Sequence, residues 1–288
     1  MLSLAEVHQA RRRRRPSPSL KQQYHEYILR RIEAFKNSIP RDELLRLGDE
    51  AVSELQATAD SQFILTEVLM LDSVDRMIMK RLSLRPFKRW CKDFQRLRAA
   101  QREPTHWGVE PACPIAPLLH RLEPDDTVLV FGARAEPLVY LLAAHEAAVT
   151  FLGTDLASVE RVESCLNDES LAVQDAFVVQ PGLWLPPIVA PLDLIVIDPA
   201  PLAQLNPAMQ CSLVHQFQEL TRTGGVHLLL GGSRSLAPEA LLSLYEGWER
   251  QADEATGRKR NQRRGGLVLG KPASCQADTE SEALEDAG

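Results

Sequence analysis

Four residues in the middle of the chain have types and spacing that could do chemistry: Gly132, Arg134, Asp155 and Asp198. Gly132 ends the apolar, β-branched run Thr127–Phe131, and a glycine at a strand end lets the backbone approach a ligand closely. Asp155 follows a second apolar run, Val149–Leu152, where an acid can accept hydrogen bonds from both hydroxyls of a ribose. Between them, Glu136–Glu146 carries Leu138, Leu141, Leu142 and His145 at helical spacing. The N-terminus of that helix offers free N–H groups to an anion. Arg134, in the turn, either pairs with a carboxylate or stands exposed in a loop. Strand, glycine turn, helix, strand, acid is the first βαβ unit of a nucleotide-binding α/β fold. Asp198 closes a later run, Leu192–Asp198, just before Pro199. Each residue also has a plainer reading: Gly132 serving only the turn, Asp155 capping the helix over Ala157–Leu166.

The elements that would position these residues continue in the same rhythm. Ala176–Gln180 is a third candidate strand, Leu192–Asp198 a fourth and Val226–Leu230 a fifth. Ala208–Leu220 reads as a helix with Met209, Leu213, Phe217 and Leu220 on one side, and Gly224-Gly225 reads as a turn. Pro238–Trp248 predicts a further helix. A weak strand over Trp248–Ala255, a basic turn at Gly257–Arg264 and a strand at Gly265–Leu269 then predict an antiparallel terminal hairpin. Alternating short strands and helices imply an α/β fold, a parallel sheet with helices on both faces. Ligands of such sheets bind outside the carboxyl ends of the strands. Here that edge carries Gly132–Glu136, Asp155, Gln180–Trp184, Asp198–Pro201 and Gly231–Ser233.

In order and spacing, residues 126–271 resemble a class I S-adenosylmethionine-dependent methyltransferase domain, a Rossmann-like sheet. LVFGARAEP stands at the glycine-rich first motif, FLGTD at the second-strand acid, LDLIVIDPAP at the fourth-strand motif, LTRTGGVHLLLG at the following helix and strand, and RRGGLVLGKP at the last strand. The resemblance implies S-adenosylmethionine as cofactor, with Gly132, Ala133, Arg134, Asp155 and Leu156 as its contacts. DPAP is similar to the motif that orients the target nitrogen in amino-group methyltransferases, which implies a catalytic, substrate-side place for Asp198. The sequence departs from the family at Val130, where an acid is usual, and at Arg134 and Glu136, where glycines are usual. A second reading comes from these departures: a catalytically inactive binding or scaffold module on the same fold, with RNA as candidate partner. A nicotinamide-dependent oxidoreductase shares the first βαβ unit, but GARAEP lacks its three-glycine fingerprint.

Before this domain the sequence is helical. Residues 1–19 hold the block Arg11–Arg15 and read as a basic arm, and residues 20–103 carry amphipathic stripes such as Tyr24, Tyr27, Ile28, Ile32 and Phe35. Phe63–Leu84 is the longest helix expected, ended by Pro86. This predicts an all-α N-terminal domain. Lys80–Arg102 is dense in Lys and Arg with Phe87, Trp90 and Phe94 interleaved, a pattern that suits nucleic-acid contact or an amphipathic helix with its rings packed inward. Residues 104–125 form a proline-rich connector in which Trp107 stacks on an adenine or plugs a joint. Residues 272–288 read as an acidic tail.

The chain of 288 residues carries a net charge of −6, which argues against binding polyanions along its whole surface. No apolar run approaches the roughly 20 residues of a membrane span, and PSPSLKQQ after the arginine block is unlike a secretory signal core. Cys91, Cys113, Cys165, Cys211 and Cys275 are scattered with no CxxC pair, so a disulfide framework or zinc site is not expected. A reducing cytoplasm is the natural setting. The histidines show no metal-ligand spacing. The methyl acceptor and the oligomeric state are not encoded in any motif.

Overall fold

The structure, a computed structural model, describes residues 19–58, 67–172, 174–188, 190–231, 236, 238–251 and 266–272. The chain divides into two compact units between Leu97 and Arg98. The arginine block, the basic turn at 257–264 and the acidic tail from 273 onward lie outside the described residues, as do the first residues of the helix expected from Phe63.

The first unit holds helices α1 (Leu20–Ser38), α2 (Arg41–Thr58), α3 (Glu67–Arg81) and most of α4 (Phe87–Gln101). Ser19 starts α1 with a capping box: its hydroxyl accepts from the Gln22 amide, and the Gln22 side chain accepts from the Ser19 amide. Asp42 and Glu43 sit in the first turn of α2, where the helix dipole favours acid. The apolar stripes meet as the periodicity demands: Ile28 and Ile32 of α1, Leu47 and Ala51 of α2, and Val74 and Ile78 of α3 form one buried core. Trp90 of α4 joins α1 through Tyr24 and Tyr27, at 5.3 and 5.9 Å between ring centroids, and stacks on Phe94 at 4.7 Å.

The second unit is an α/β sandwich. Its sheet comprises β1 (Thr127–Phe131), β2 (Ala148–Gly153), β3 (Asp175–Val178), β4 (Leu192–Ile197), β5 (Thr221–Leu229), β6 (Glu249–Arg250) and β7 (Leu267–Gly270), in the order β3-β2-β1-β4-β5-β7-β6. The pairs from β3 through β5 are parallel. β7 runs antiparallel to both of its neighbours, as the sequence led one to expect of a closing hairpin.

The period-two alternation of strand side chains sorts the core onto two faces. Val128 and Val130 of β1, Val149 and Phe151 of β2, and Leu194 and Val196 of β4 pack under α5 (Ala116–Leu119), α6 (Glu136–Ala144) and α7 (Leu156–Asp168). Leu129, Phe131, Ile195, Ile197 and Leu229 face the other way, against Leu213, Val214 and Phe217 of α9 (Pro207–Leu220) and against Leu241 and Tyr245. Buried on both faces, β1 needs an unbroken apolar run, and Val128–Phe131 supplies it.

Two expectations need correction. Gly224-Gly225 is not a turn before β5 but a bulge inside it: pairing steps from Leu192↔Thr221 to Leu194↔Val226, two residues along β4 against five along β5. Gly224 absorbs the irregularity at φ +75°. The helix expected over Pro238–Trp248 is a 3₁₀ segment ending at Leu244; of the strand expected over Trp248–Ala255 the described residues carry β6, and residues 252–255 lie outside them.

Beneath β5 lies a buried polar chain. Thr221 donates its hydroxyl proton to the Phe217 carbonyl at 2.7 Å, so at 2.7 Å it accepts from His227 Nε2. His227 Nδ1 then accepts from the Tyr245 hydroxyl at 2.9 Å. The imidazole is fully buried, and burial, aided by the nearby Lys271 ammonium, pushes its pKa down to about 3. A folded value below the unfolded one means the contribution is complete above about pH 6.5 and is lost as pH falls from there toward 3. The expected loss between pH 7 and pH 5 is about 2 kcal/mol. Urea midpoints for the native protein and His227→Gln at the two pH values check it: the variant should lose much less on acidification, and equal losses would exclude His227 as the cause.

Candidate functional site

The carboxyl ends of the strands bring the residues singled out in the sequence to one edge, and the turn after β1 is the tightest part of it. Gly132 donates its N–H to the Leu152 carbonyl at 2.9 Å and has φ +94°. A Cβ added there would lie 2.6 Å from the Cβ of Asp198. Glycine is therefore required twice, for the left-handed backbone and for the contact between the ends of β1 and β4. Ala133–Ala135 then make one 3₁₀ turn into α6, whose start carries Pro137 where a missing N–H costs nothing.

Asp198 is held from every side. Its amide donates to the Phe131 carbonyl at 2.9 Å. Its Oδ1 accepts from the Ala200 amide at 3.0 Å, capping α8 (Pro199–Leu202), and its Oδ2 accepts from the Arg134 amide at 3.2 Å. The Arg134 side chain takes the same direction. Nη1 reaches Asp198 Oδ1 at 3.4 Å, and Nη2 donates to the Gly231 carbonyl beyond β5 at 2.8 Å. Arg134 spans the ends of β1, β4 and β5, because the buried carboxylate, 2% exposed, offers it a partner that solvent does not. The Arg134 side chain stays 42% exposed, and its guanidinium has five donors of which two are engaged here.

Glu136, the other charged residue of the first motif, opens α6 and turns away from this edge. Its carboxylate accepts from the Tyr140 hydroxyl at 2.8 Å and pairs with Arg161 at 3.2 Å. Burial first, then the Glu136 hydrogen bond and charge, raise the pKa of Tyr140, which keeps its proton and donates it.

Asp155 caps α7: Oδ1 accepts from the Ser158 amide at 2.8 Å, and the Ser158 hydroxyl donates to the Asp155 carbonyl at 2.8 Å. The residue is exposed. The capping interpretation is thus realised, and it uses one carboxylate oxygen. Leu156, next along, is 60% exposed.

The loop after β3, which includes the Gln180–Trp184 stretch that the sequence placed at the ligand edge, holds exposed apolar residues. Among the described residues of the second unit, the exposed large apolar side chains are Leu156, Val178, Leu183 and Trp184. All four lie at the carboxyl ends of β2 and β3, the strands paired through Gly153↔Val178. Gly182, at φ +79°, sits too close to the Met209 methyl for a Cβ, at 2.5 Å, and Gln180 bridges Trp184 in a tight loop. The signal was present as GLWL, an apolar run with no amphipathic period, but its exposure depends on the loop geometry.

Trp107 is placed elsewhere. Its Nε1 donates to the Gln101 carbonyl at 2.7 Å and its ring packs on Tyr140 at 5.2 Å, on the α6 face. A cleft at the opposite, amino-terminal edge is lined by Leu118, Arg121, Asp193 and Arg222. Its charges are engaged internally, with Asp193 pairing with Arg222 at 2.6 Å and accepting from the Thr127 amide. Among the described residues no group of histidines, cysteines and acids could hold a metal, the four cysteines are free, and no helix is long and apolar enough to cross a membrane.

No protein-family model matches the chain, and no curated protein matches it by sequence. Solved structures similar to it include TehB from Haemophilus influenzae, 17% identical with a TM-score of 0.42, covering 55% of this chain and 61% of that one. A TehB-like SAM-dependent methyltransferase from Corynebacterium glutamicum is 14% identical with a TM-score of 0.44, covering 64% and 97%. The glycopeptide N-methyltransferase MtfA with bound S-adenosyl-L-methionine is 13% identical with a TM-score of 0.41, covering 57% and 94%. The chain spans less than two thirds of the Haemophilus protein. Five parallel strands in the order β3-β2-β1-β4-β5, closed by β7 running antiparallel between β5 and β6, give the second unit a Rossmann-like α/β fold.

Proposed function

We propose that the second unit binds S-adenosylmethionine at the carboxyl edge of its sheet and transfers the methyl group to an acceptor yet to be identified. One observation carries this reading: the exposed acid Asp155 and the exposed apolar side chains Leu156, Leu183 and Trp184 occupy the ends of two adjacent strands, on the same sheet edge as the exposed cation Arg134. An adenosine needs an acceptor for its ribose hydroxyls and apolar cover for its base, and a methionine carboxylate needs a cation.

The donor set fits the group. Asp155 keeps its second carboxylate oxygen for the ribose while the first holds α7. Leu156, Leu183 and Trp184 would cover a purine ring, whose burial removes their apolar surface from water at about 25 cal/mol per Å². Arg134 would present the exposed part of its fork to the carboxylate while Asp198 and the Gly231 carbonyl fix its position. Asp198 then enters as a positioning residue for Arg134. When bound, S-adenosylmethionine would supply an electrophilic sulfonium methyl group for transfer to an acceptor. Such a transfer needs alignment more than acid–base groups.

Isothermal titration with S-adenosylmethionine and S-adenosylhomocysteine tests the reading, and no heat at millimolar ligand would remove it. Asp155→Asn keeps a capping side chain and removes the charge, so helix α7 is retained. It should lose about tenfold or more in affinity, since a charge-assisted hydrogen bond contributes about 1.5–3 kcal/mol. Unchanged affinity would place the ribose elsewhere.

Arg134→Ala should weaken binding about tenfold, equivalent to about 1.4 kcal/mol. Tighter binding in Arg134→Gly would show instead that the arginine obstructs the site. That outcome would leave a binding module in place of an enzyme.

A further inference from the structure

We infer that the exposed face of α4 is a docking surface for the phosphate backbone of a nucleic acid strand, read through charge and not through the bases. The observation is a separation of charge from rings that the sequence left open. Of the nine cations between Lys80 and Arg102, five are engaged. Lys80 pairs with Glu54, Arg81 with Glu43, Arg85 with Asp93 and Arg102 with Glu146, and Arg98 donates to the Ser170 carbonyl. The other four, Lys88, Arg89, Lys92 and Arg96, are exposed and take part in no ion pair among the described residues.

On a helix advancing about 100° per residue, these four fall within an arc of about 100°. Phe87, Trp90 and Phe94 fall on the opposite side, and there they are engaged: Trp90 is buried against Tyr24 and Tyr27, Phe94 stacks on it, and Phe87 meets Tyr24 edge-on at 5.3 Å. The rings are thus unavailable for stacking on bases, and what remains is a strip of positive charge. Lys88, Lys92 and Arg96 succeed one another at about 6 Å along the helix axis. That step is close to twice the ~3.4 Å spacing of charges along one nucleic-acid strand, so successive cations can meet alternate phosphates.

A lipid surface fits less well. An interfacial helix lays apolar side chains into the membrane beside its cations, and the apolar side of α4 is committed to α1. The net charge of −6 does not oppose the proposal, because the acids that pair with neighbouring cations leave this arc untouched. The inference concerns the first unit alone and stands whether or not the second binds S-adenosylmethionine.

Fluorescence anisotropy of the full chain with labelled U20 RNA and dT20 DNA tests it. Both should bind with similar affinity, because no base is read. Neutralising four phosphates predicts an affinity loss of about 50-fold between 50 and 200 mM salt. The triple variant Lys88→Glu, Arg89→Glu, Lys92→Glu should abolish binding with an unchanged melting temperature. Lys88→Gln, Arg89→Gln, Lys92→Gln should flatten the salt dependence, which keeps the test open if the charge reversal disturbs folding. No binding at 50 mM salt would overturn the proposal. So would full binding by both triple variants, which would assign the contact to Arg11–Arg15, or equal binding of polyglutamate, which would point to an acidic protein partner.

Discussion

The second unit depends on one close contact, Gly132 against Asp198. The ends of β1 and β4 approach so nearly that no side chain fits at 132, and the backbone there takes a conformation that only glycine adopts without strain. This contact sets where α6 begins, brings the Arg134 amide within reach of the Asp198 carboxylate, and directs the guanidinium along the strand ends to Gly231. A buried carboxylate so close to the turn requires compensation. It finds it in two amides and the Arg134 guanidinium, all from within the same edge. The unusual charged residue of the first motif is in this sense the counterion of the fourth-strand acid.

The same edge shows how a capping residue can leave part of its side chain free. Asp155 satisfies an N-terminal amide of α7 with one oxygen. Capping holds the carboxylate in a fixed place at the end of β2 without occupying both of its oxygens. Exposed apolar surface is similarly concentrated. The second unit buries its large apolar side chains in two layers, one on each face of the sheet. It leaves Leu156, Val178, Leu183 and Trp184 in solvent at neighbouring strand ends. Left in solvent, each forgoes the stability that burial would add.

Much of this was legible in the sequence. The strands announced themselves because a parallel sheet buried on both faces demands continuous apolar runs such as Val128–Phe131. The strand-end residues came with the strands, so Gly132, Asp155 and Asp198 were located correctly at one edge. The rest was decided by contacts between distant segments. Arg134 and Asp198 are 64 residues apart, and Arg134 and Gly231 are 97 apart, and neither pairing leaves a local pattern. The sequence left Arg134 open between pairing with a carboxylate and exposure in a loop, and the tertiary carboxylate decides where it points. Gly224-Gly225 misled for a related reason: a bulge within β5 uses the same residues as a turn before it.

The helical unit makes the complementary point about charge. Counting Lys and Arg between Lys80 and Arg102 suggests a uniform basic segment. The structure breaks it into three groups: cations neutralised by acids of α2 and α4, cations at the start of the second unit, and a strip left in solvent. Phe87, Trp90 and Phe94 could not be assigned to base stacking or to packing from spacing alone, since both uses need rings on one side of a helix. The partner of that side decides between them. Tyr24 and Tyr27, some sixty residues earlier, provide it, and with the rings committed to the core the cations are left to act by charge alone.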